Sequence, residues 1–529
     1  MKLCVGDTRT YTKIGVIRTP LHAALAQYRR RTLQVSGESC IEFCETRRPW
    51  KIPTLRVILL TTALALLNLE PANSGAVGPI LAVASAGAAV SFPAGWFFYT
   101  AAAQIAADPA RLPLTLTQLS VLVWVATLPW NGCRALLQRM WPYWRLLLPF
   151  LVWFYAVYLI NRSEFPTPMF YAAVVGSISY IYAQKDKRRP YLLLLSLLWG
   201  LGYAAVGYWG RRLQLPVLSR TYADVLATVL VVRVGSGRGD ANMVGLSLAV
   251  FMTGCLALSA FAWTEFPPRL PRALAILSGP ASVCIGLPPL LATVSRGGVY
   301  AFVLSLLVLL GCLLVPRWNP RLKRRPVGAC ACAFAALLAT SDTARSMVMN
   351  AYQSIRLRNL ANSQFYGSSS VVAGREQMWK IHWRLLLDHP LFGVGRGEFV
   401  DFGHFGSAIV GVDGTWGAAH NVFLEVGSSV GLPGLVLFLI IFLRTPWNLY
   451  RTHRGRFSAP FLLVNLSVLL LFMSLSVGNW KFYWALLALM LSATAARRKQ
   501  LRVRASRSDF ESVFRIQGSV GRTGRLPHG

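Results

Sequence analysis

One arginine is distinguished by its position between two apolar runs. Arg296 lies within Ser295-Arg296-Gly297-Gly298 and has no other charge nearby. A charge at the edge of an apolar run is costly unless it is paired or hydrated, so such residues are functional by default. A guanidinium binds phosphate in a bidentate fork, and flanking glycines allow close approach. We therefore predict phosphate binding here; the alternative, an arginine that only sets topology, is disfavoured by its outward position.

A second arginine heads an amphipathic segment. Arg375, Trp379, Trp383 and Leu386 are spaced i, i+4, i+8 and i+11, which places them on one face of a helix that ends before Pro390. This pattern predicts a helix at the membrane interface. A surface helix that packs on the rest of the protein is the alternative, and the two are compatible.

A histidine and two asparagines lie where apolar runs begin. His420 and Asn421 open one such run, and Asn242 opens another. The positive end of the helix dipole beneath His420 would favour the neutral imidazole that a general base requires. His382 and His404 share the preceding loop and remain alternatives for that role.

Cofactor motifs are missing from the sequence. Gly393-Val394-Gly395-Arg396-Gly397 follows no predicted strand and lacks a P-loop lysine, so it predicts a tight turn rather than a nucleotide site. No HExxH, DxD or outer carboxylate cluster is present, and the nine cysteines form no paired CxxC array. We expect no metal and no other cofactor.

The composition defines what must position these residues. Of 529 residues, 54% are hydrophobic and only 14% are charged. A soluble protein of this size needs roughly a quarter of charged residues. The apolar residues occur in runs of about 20, the length of a membrane-spanning helix. The predicted fold is an all-α polytopic membrane bundle, which excludes a large soluble enzyme and a disordered chain.

The net charge of +34 is distributed as in a multi-pass membrane protein. Lys and Arg cluster at both ends and in short loops, and no nucleic-acid motif accompanies them, so we expect contacts with membrane lipids and none with nucleic acid. Both termini should be cytoplasmic, which requires an even number of spans. The run 76–107 divides at Pro93 into two short helices, giving 14 spans, or 12 if part of 55–108 is interfacial.

The predicted organisation has five parts. A loop as long as 342–419 is uncommon unless it is functional. The parts are a basic cytoplasmic extension (1–56), a first part of the transmembrane bundle (57–341), a periplasmic loop with amphipathic helices (342–419), the last transmembrane helices (420–496) and a basic cytoplasmic tail (497–529).

The ordered motifs resemble the O-antigen ligase and O-antigen polymerase superfamily of bacterial inner-membrane proteins. Each piece is weak alone, but the set, spread over about 235–445, is fairly specific; the first 230 residues match only as a generic bundle. Ala241 departs from the proline that many members carry. The matching pieces are Gly239-Asp240-Ala241-Asn242, Ser295-Arg296-Gly297-Gly298, Arg375 with Trp379, Pro390-Leu391-Phe392-Gly393-Val394-Gly395, Ala419-His420-Asn421 and Gly431-Leu432-Pro433-Gly434.

The resemblance implies a GT-C-type glycosyltransferase that uses a glycan linked to a polyprenyl diphosphate such as undecaprenyl diphosphate. It implies that Arg296 and Arg375 hold the diphosphate and that His420 assists the acceptor hydroxyl. Attack opposite the leaving phosphate predicts inversion. The expected catalytic residues are His420, Arg296 and Arg375, and the expected substrate-binding residues are Asn242, Ser295, Gly297, Trp379 and Asn421.

The acceptor remains open. Ligation onto a lipid A core sugar in lipopolysaccharide biosynthesis, ligation onto a protein hydroxyl, and polymerisation of lipid-linked O-antigen or exopolysaccharide repeats share the donor chemistry. Transport of lipid-linked sugars or anionic solutes is the alternative of another class. No internal repeat typical of transporters is evident, and the long loop is not explained by transport. A non-catalytic binding subunit of an envelope-polysaccharide complex is the third interpretation.

Overall fold

The computed structural model describes the larger part of the chain. The chain divides into two units, Met1–Leu55 and Arg56–Gly529. The predicted extension 1–56, apart from its last residues, and most of the loop 342–419 lie outside the described residues. Described are 54–67, 77–102, 115–127, 133–162, 167–185, 189–215, 221–226, 229–234, 241–262, 270–314, short pieces between 345 and 356, 375–395, 419–453, 458–473 and 481–520.

Helices dominate the described residues, as predicted. The helices are α1 (Thr54–Leu67), α2 (Val77–Val90), α3 (Pro93–Ala102), α4 (Leu116–Ala126), α5 (Cys133–Ile160), α6 (Thr167–Lys185), α7 (Arg189–Arg212), α8 (Ala241–Ala260), α9 (Leu270–Ala292), α10 (Arg296–Leu314), α11 (Arg375–Asp388), α12 (Val422–His453), α13 (Ser458–Phe472) and α14 (Lys481–Val520). The polar segment between α7 and α8 contains a hairpin that the sequence did not predict: strands β1 (Thr221–Leu226) and β2 (Val229–Val234) pair antiparallel.

The helices are those of a multi-pass membrane protein, which confirms the predicted fold class. Five of them, α5, α7, α8, α9 and α12, are long and apolar enough to cross a membrane, and α1, α2, α4, α10 and α13 are shorter apolar helices. The apolar residues 327–340, within the predicted first part of the bundle, lie outside the described residues. The count of 12 to 14 spans and the cytoplasmic position of both termini stay predictions.

The predicted break at Pro93 is confirmed. Helix α2 ends at Val90, and α3 begins at Pro93, the first helical position, where the missing N–H costs nothing. Helix α3 then packs against α6 and α7 with its aromatic residues buried, and the Trp96 indole donates to Ser179 Oγ of α6 at 2.8 Å. Residues 77–102, the described part of the run, therefore form two short helices.

Helix α8 forms the centre of the bundle. It packs against α7, α9, α10 and α13, and all of its residues except Asn242 are buried. Its glycines permit this close packing: a Cβ on Gly254 would lie 2.6 Å from Leu197 of α7 and 2.9 Å from Val464 of α13. Because lipid tails are as apolar as the helices, such close backbone contacts are a main source of association within a membrane. Asn242, at the start of α8, is therefore held by a tightly packed element.

Candidate functional site

Arg296 is the first residue of α10. Helix α9 ends at Ala292, and Val294 has a left-handed backbone (φ 49°) that reverses the chain. Ser295 then caps α10, since its Oγ accepts from the Gly298 N–H at 3.3 Å. The half-buried Arg296 thus lies at a helix N-terminus, where the first N–H groups and the helix dipole favour an anion.

The start of α8 lies directly against this turn. A Cβ on Gly298 would lie 2.7 Å from the Gly245 carbonyl carbon, and a Cβ on Gly245 would lie 2.6 Å from Ser295 Cβ. The two backbones therefore approach as closely as glycine allows. Asn242 precedes Gly245 by three residues, one turn of the helix. We call Asn242, Gly245 and Ser295–Gly298 the arginine cluster, and it contains the predicted residues Asn242, Ser295, Arg296 and Gly297.

His420 lies just outside the first turn of α12, as predicted. Asn421 caps this helix, because its Oδ1 accepts from the N–H groups of Phe423 (3.1 Å) and Leu424 (3.2 Å). His420 is half-buried and has a left-handed backbone with φ 51°. For a residue other than glycine this conformation costs of order 1–3 kcal/mol, and such residues concentrate at functional sites.

Trp379 joins α11 to the residue before the histidine. Its indole Nε1 donates to the Ala419 carbonyl oxygen at 2.8 Å. We call Trp379, Ala419, His420 and Asn421 the histidine cluster. Arg375 is the first residue of α11, one turn before Trp379, and its side chain lies outside the described part of the structure. That the two clusters face one common substrate is a prediction.

The buried face of α11 differs in part from the predicted one. The helix packs on α12, with His382 and Leu386 buried and Trp379 half-buried. Trp383, which the sequence placed on the same face, is 53% exposed. His382, which the spacing argument did not include, is buried instead. The helix is therefore a surface helix on the bundle that also presents a tryptophan outward, as an interfacial helix does.

Helix α12 contains a kink that interrupts its hydrogen bonds. Gly431 has φ 73°, so the helix does not continue regularly through it. In a regular helix the carbonyls of Ser428, Ser429 and Val430 would accept from the N–H groups four residues later. One of those positions is Pro433, which has no N–H. The kink therefore leaves three carbonyls that require other partners.

The turn after α11 and one tryptophan of α5 supply those partners. We call the turn 390–395, together with 428–432 of α12, the clasp; its pairing agrees with the tight turn predicted at Gly393 and Gly395. The bonds are Val394 N to Ser428 O (2.9 Å), Gly395 N to Ser429 O (3.0 Å), Leu432 N to Pro390 O (2.7 Å) and Trp153 Nε1 to Val430 O (2.8 Å).

Glycine is required at two positions of the clasp. Gly393 has φ 58°, and a Cβ there would lie 2.5 Å from the Ser428 carbonyl oxygen. A Cβ on Gly431 would collide with the Leu391 carbonyl. The two motifs that resemble the family, Pro390–Gly395 and Gly431–Gly434, thus belong to one structural unit, in which their backbones are in contact.

Lys481, which the sequence analysis did not single out, is a half-buried cation at the start of α14. Lys481 begins α14, and the next residues are buried: Tyr483 stacks on Phe442 of α12 with ring centroids 5.2 Å apart. Near the other end, His453 Nε2 lies 3.4 Å from the Ala493 carbonyl oxygen. A lysine heading an apolar run was the available signal.

Among the described residues, no group of three or more His, Cys, Asp or Glu side chains is placed to hold a metal ion. The chemistry that these side chains offer is anion binding by a guanidinium at a helix N-terminus and proton transfer at an imidazole.

Residues 281–439 match the family model described as O-antigen ligase. The matched range contains the Ser295–Gly298 turn, α11, the clasp and His420, while Asn242 precedes it. No curated protein matches the chain. The matched part therefore contains the histidine cluster, the clasp and the Ser295–Gly298 half of the arginine cluster.

Proposed function

The chain belongs to the O-antigen ligase superfamily, and from this premise we propose that it moves a glycan from a polyprenyl-diphosphate carrier to an acceptor hydroxyl. The transfer takes place at the periplasmic face of the bacterial inner membrane, with both termini of the chain in the cytoplasm. The observation that carries the proposal is the placement of Arg296 as the first residue of α10, fixed by the contact between Gly245 and Gly298.

The diphosphate is held at the arginine cluster. The leaving group gains negative charge as the glycosidic bond to phosphate breaks, and the guanidinium of Arg296 together with the N-terminus of α10 stabilises that charge. Arg375 supplies a second guanidinium from the head of α11. Removal of one such contact typically costs about 10²–10³ in kcat.

The acceptor is activated at the histidine cluster. The acceptor oxygen attacks the anomeric carbon, the bond from that carbon to the phosphate oxygen breaks, and the hydroxyl proton passes to the imidazole of His420. Attack opposite the leaving group inverts the anomeric configuration. A correctly placed base contributes roughly 10²–10⁴-fold, and the helix N-terminus beneath His420 favours the neutral ring that it needs.

The remaining proposed substrate-binding residues differ in what they offer. Ser295 and Asn421 use their side-chain oxygens as helix caps, so they shape the site rather than supply those atoms to the substrate. Gly297 brings an N–H of the first turn of α10 to the phosphate. Asn242 lies at the start of the otherwise buried α8. Together with Trp379 it completes the walls of the substrate site.

The test uses purified protein in detergent or nanodiscs with a polyprenyl-diphosphate glycan. We expect release of free polyprenyl diphosphate only when an acceptor is present, together with an extended acceptor. Products with one added glycan on a lipid A core indicate a ligase, and a ladder of repeats indicates a polymerase. Movement of intact donor across the bilayer, without release of diphosphate, would contradict the proposal and favour transport.

The proposed reaction needs no metal. We expect that a chelator leaves the rate of polyprenyl diphosphate release unchanged. Loss of transfer that a divalent cation restores would overturn this part of the mechanism.

A further inference from the structure

His382 lies in the joint between α11 and α12. It is 5% exposed, and its Nδ1 lies 2.7 Å from Ser428 Oγ. Ser428 Oγ also lies 3.2 Å from the Glu425 carbonyl oxygen of its own helix. A buried imidazole that is hydrogen-bonded to a side chain of α12 is poorly placed to receive a proton from a bulky glycan acceptor.

The hydrogen bond between His382 and Ser428 lies between two other contacts that hold α11 in place. Towards the start of α11, Trp379 donates to Ala419 O, and after its end the clasp binds the turn that begins at Pro390 to the kink of α12. Trp379 and His382 are three residues apart, so they share a face of α11. His382 therefore fixes α11 on α12 midway between the histidine cluster and the clasp.

A buried polar pair restricts the relative position of α11 and α12 more than an apolar pair does. Leu386 of α11 packs on Gly427 of α12, and a Cβ on Gly427 would lie 3.1 Å from Leu386 Cδ2. Apolar contacts of this kind tolerate sliding of one helix along the other by a fraction of a turn. A buried hydrogen bond has one satisfied geometry, and its loss leaves a desolvated donor or acceptor. The pair of His382 and Ser428 therefore specifies a single register of the two helices.

We propose that His382 is a positioning residue of the glycosyl transfer: through Ser428 it fixes α11 against α12, so that Trp379 holds His420 at the acceptor. This inference rests on the proposed function. It separates the two histidines of the site by role, since His420 exchanges the proton and His382 sets where His420 stands.

The test compares variants of the pair by steady-state kinetics. In His382→Leu and Ser428→Ala we expect kcat to fall about tenfold with the donor KM unchanged, because the bond carries geometry rather than substrate binding. In His382→Asn, whose amide nitrogen reaches the position of Nδ1, kcat should recover to within about twofold of the wild type, and its pH profile should match that of the wild type. The double variant His382→Leu/Ser428→Ala should be no slower than either single variant.

Ser85→Ala is the matched control. Ser85 is a buried serine whose Oγ bonds only the Ala82 carbonyl of its own helix α2 in the described residues. Its replacement should leave kcat within about twofold.

The outcomes separate the inference from the proposed function. A wild-type protein that transfers glycan while Ser428→Ala keeps its full kcat overturns the inference alone. A His382→Asn variant with strongly reduced kcat and an altered pH profile does the same, because it makes His382 a proton carrier. A wild-type protein without transfer overturns the proposed function and the inference with it.

Discussion

The two clusters of the site are held by different forces. The arginine cluster depends on volume: the backbones of α8 and α10 touch through Gly245 and Gly298, with no room for a side chain. The histidine cluster depends on hydrogen bonds, since Trp379 and the clasp bind α11 to α12 through carbonyls and N–H groups. We therefore expect the arginine cluster to lose its function when atoms are added. The histidine cluster should lose its function when polar groups are removed.

This difference follows from the environment of each cluster. Helix α8 is surrounded by other helices, and small residues are what allow close packing where water provides no hydrophobic drive. Helix α11 instead lies on the surface of the bundle, with Trp383 exposed. There it packs against a kinked helix whose carbonyls must be satisfied.

The largest effect is expected from adding one methyl group to the arginine cluster. In Gly298→Ala the new Cβ meets the Gly245 backbone at 2.7 Å, and backbone cannot give way as a side chain does. Overpacking of this kind costs about 1–3 kcal/mol and displaces the first turn of α10. We expect a lower melting temperature and loss of nearly all transfer in the diphosphate release assay.

Gly311→Ala in the same helix is the control for this substitution. A Cβ there meets nothing within 4 Å, so stability and transfer should be unchanged. Equal behaviour of the two alanine variants would show that close packing does not hold Arg296.

A smaller effect is expected when the histidine cluster loses one hydrogen bond. Trp379→Phe keeps the aromatic ring and removes the donor to Ala419 O. Since a buried hydrogen bond contributes about 1 kcal/mol, we expect kcat to fall about 5- to 10-fold, with expression and donor KM retained. A decrease in donor affinity with unchanged kcat would instead place Trp379 on the donor side.

The smallest effect is expected from the cap of α12. Asn421→Ala removes the Oδ1 that accepts from Phe423 and Leu424 and should cost about 1 kcal/mol of stability. Asn421→Ser, which restores a capping oxygen, should recover most of it in a thermal melt. Transfer lost equally in both variants, with stability retained in Asn421→Ser, would show that the amide itself contacts substrate.

The sequence predicted the local features of the site and missed the long-range ones. Helix starts at Asn242, Arg296 and His420 were recognisable because each residue lies where an apolar run begins. The pairing of Gly245 with Gly298, and of 390–395 with the kink at Gly431, joins residues far apart in the chain. Such contacts carry no local signature.

The clearest local difference lies in α11. The spacing placed Trp383 on the same face as Trp379 and Leu386, whereas Trp383 is exposed and His382, bonded to Ser428, is buried. A buried polar pair is visible to sequence reasoning only when both partners are already known to meet.

The most direct test of the account measures donor binding and transfer in the same variants. Purified Arg296→Ala, Arg375→Ala and His420→Ala proteins are compared with wild type for binding of the polyprenyl-diphosphate glycan and for acceptor-dependent release of polyprenyl diphosphate. The account predicts that all three insert normally and lose transfer by about 10²-fold or more, and that only the two arginine variants also lose donor affinity. Full transfer in any two of the three variants would contradict the proposed site.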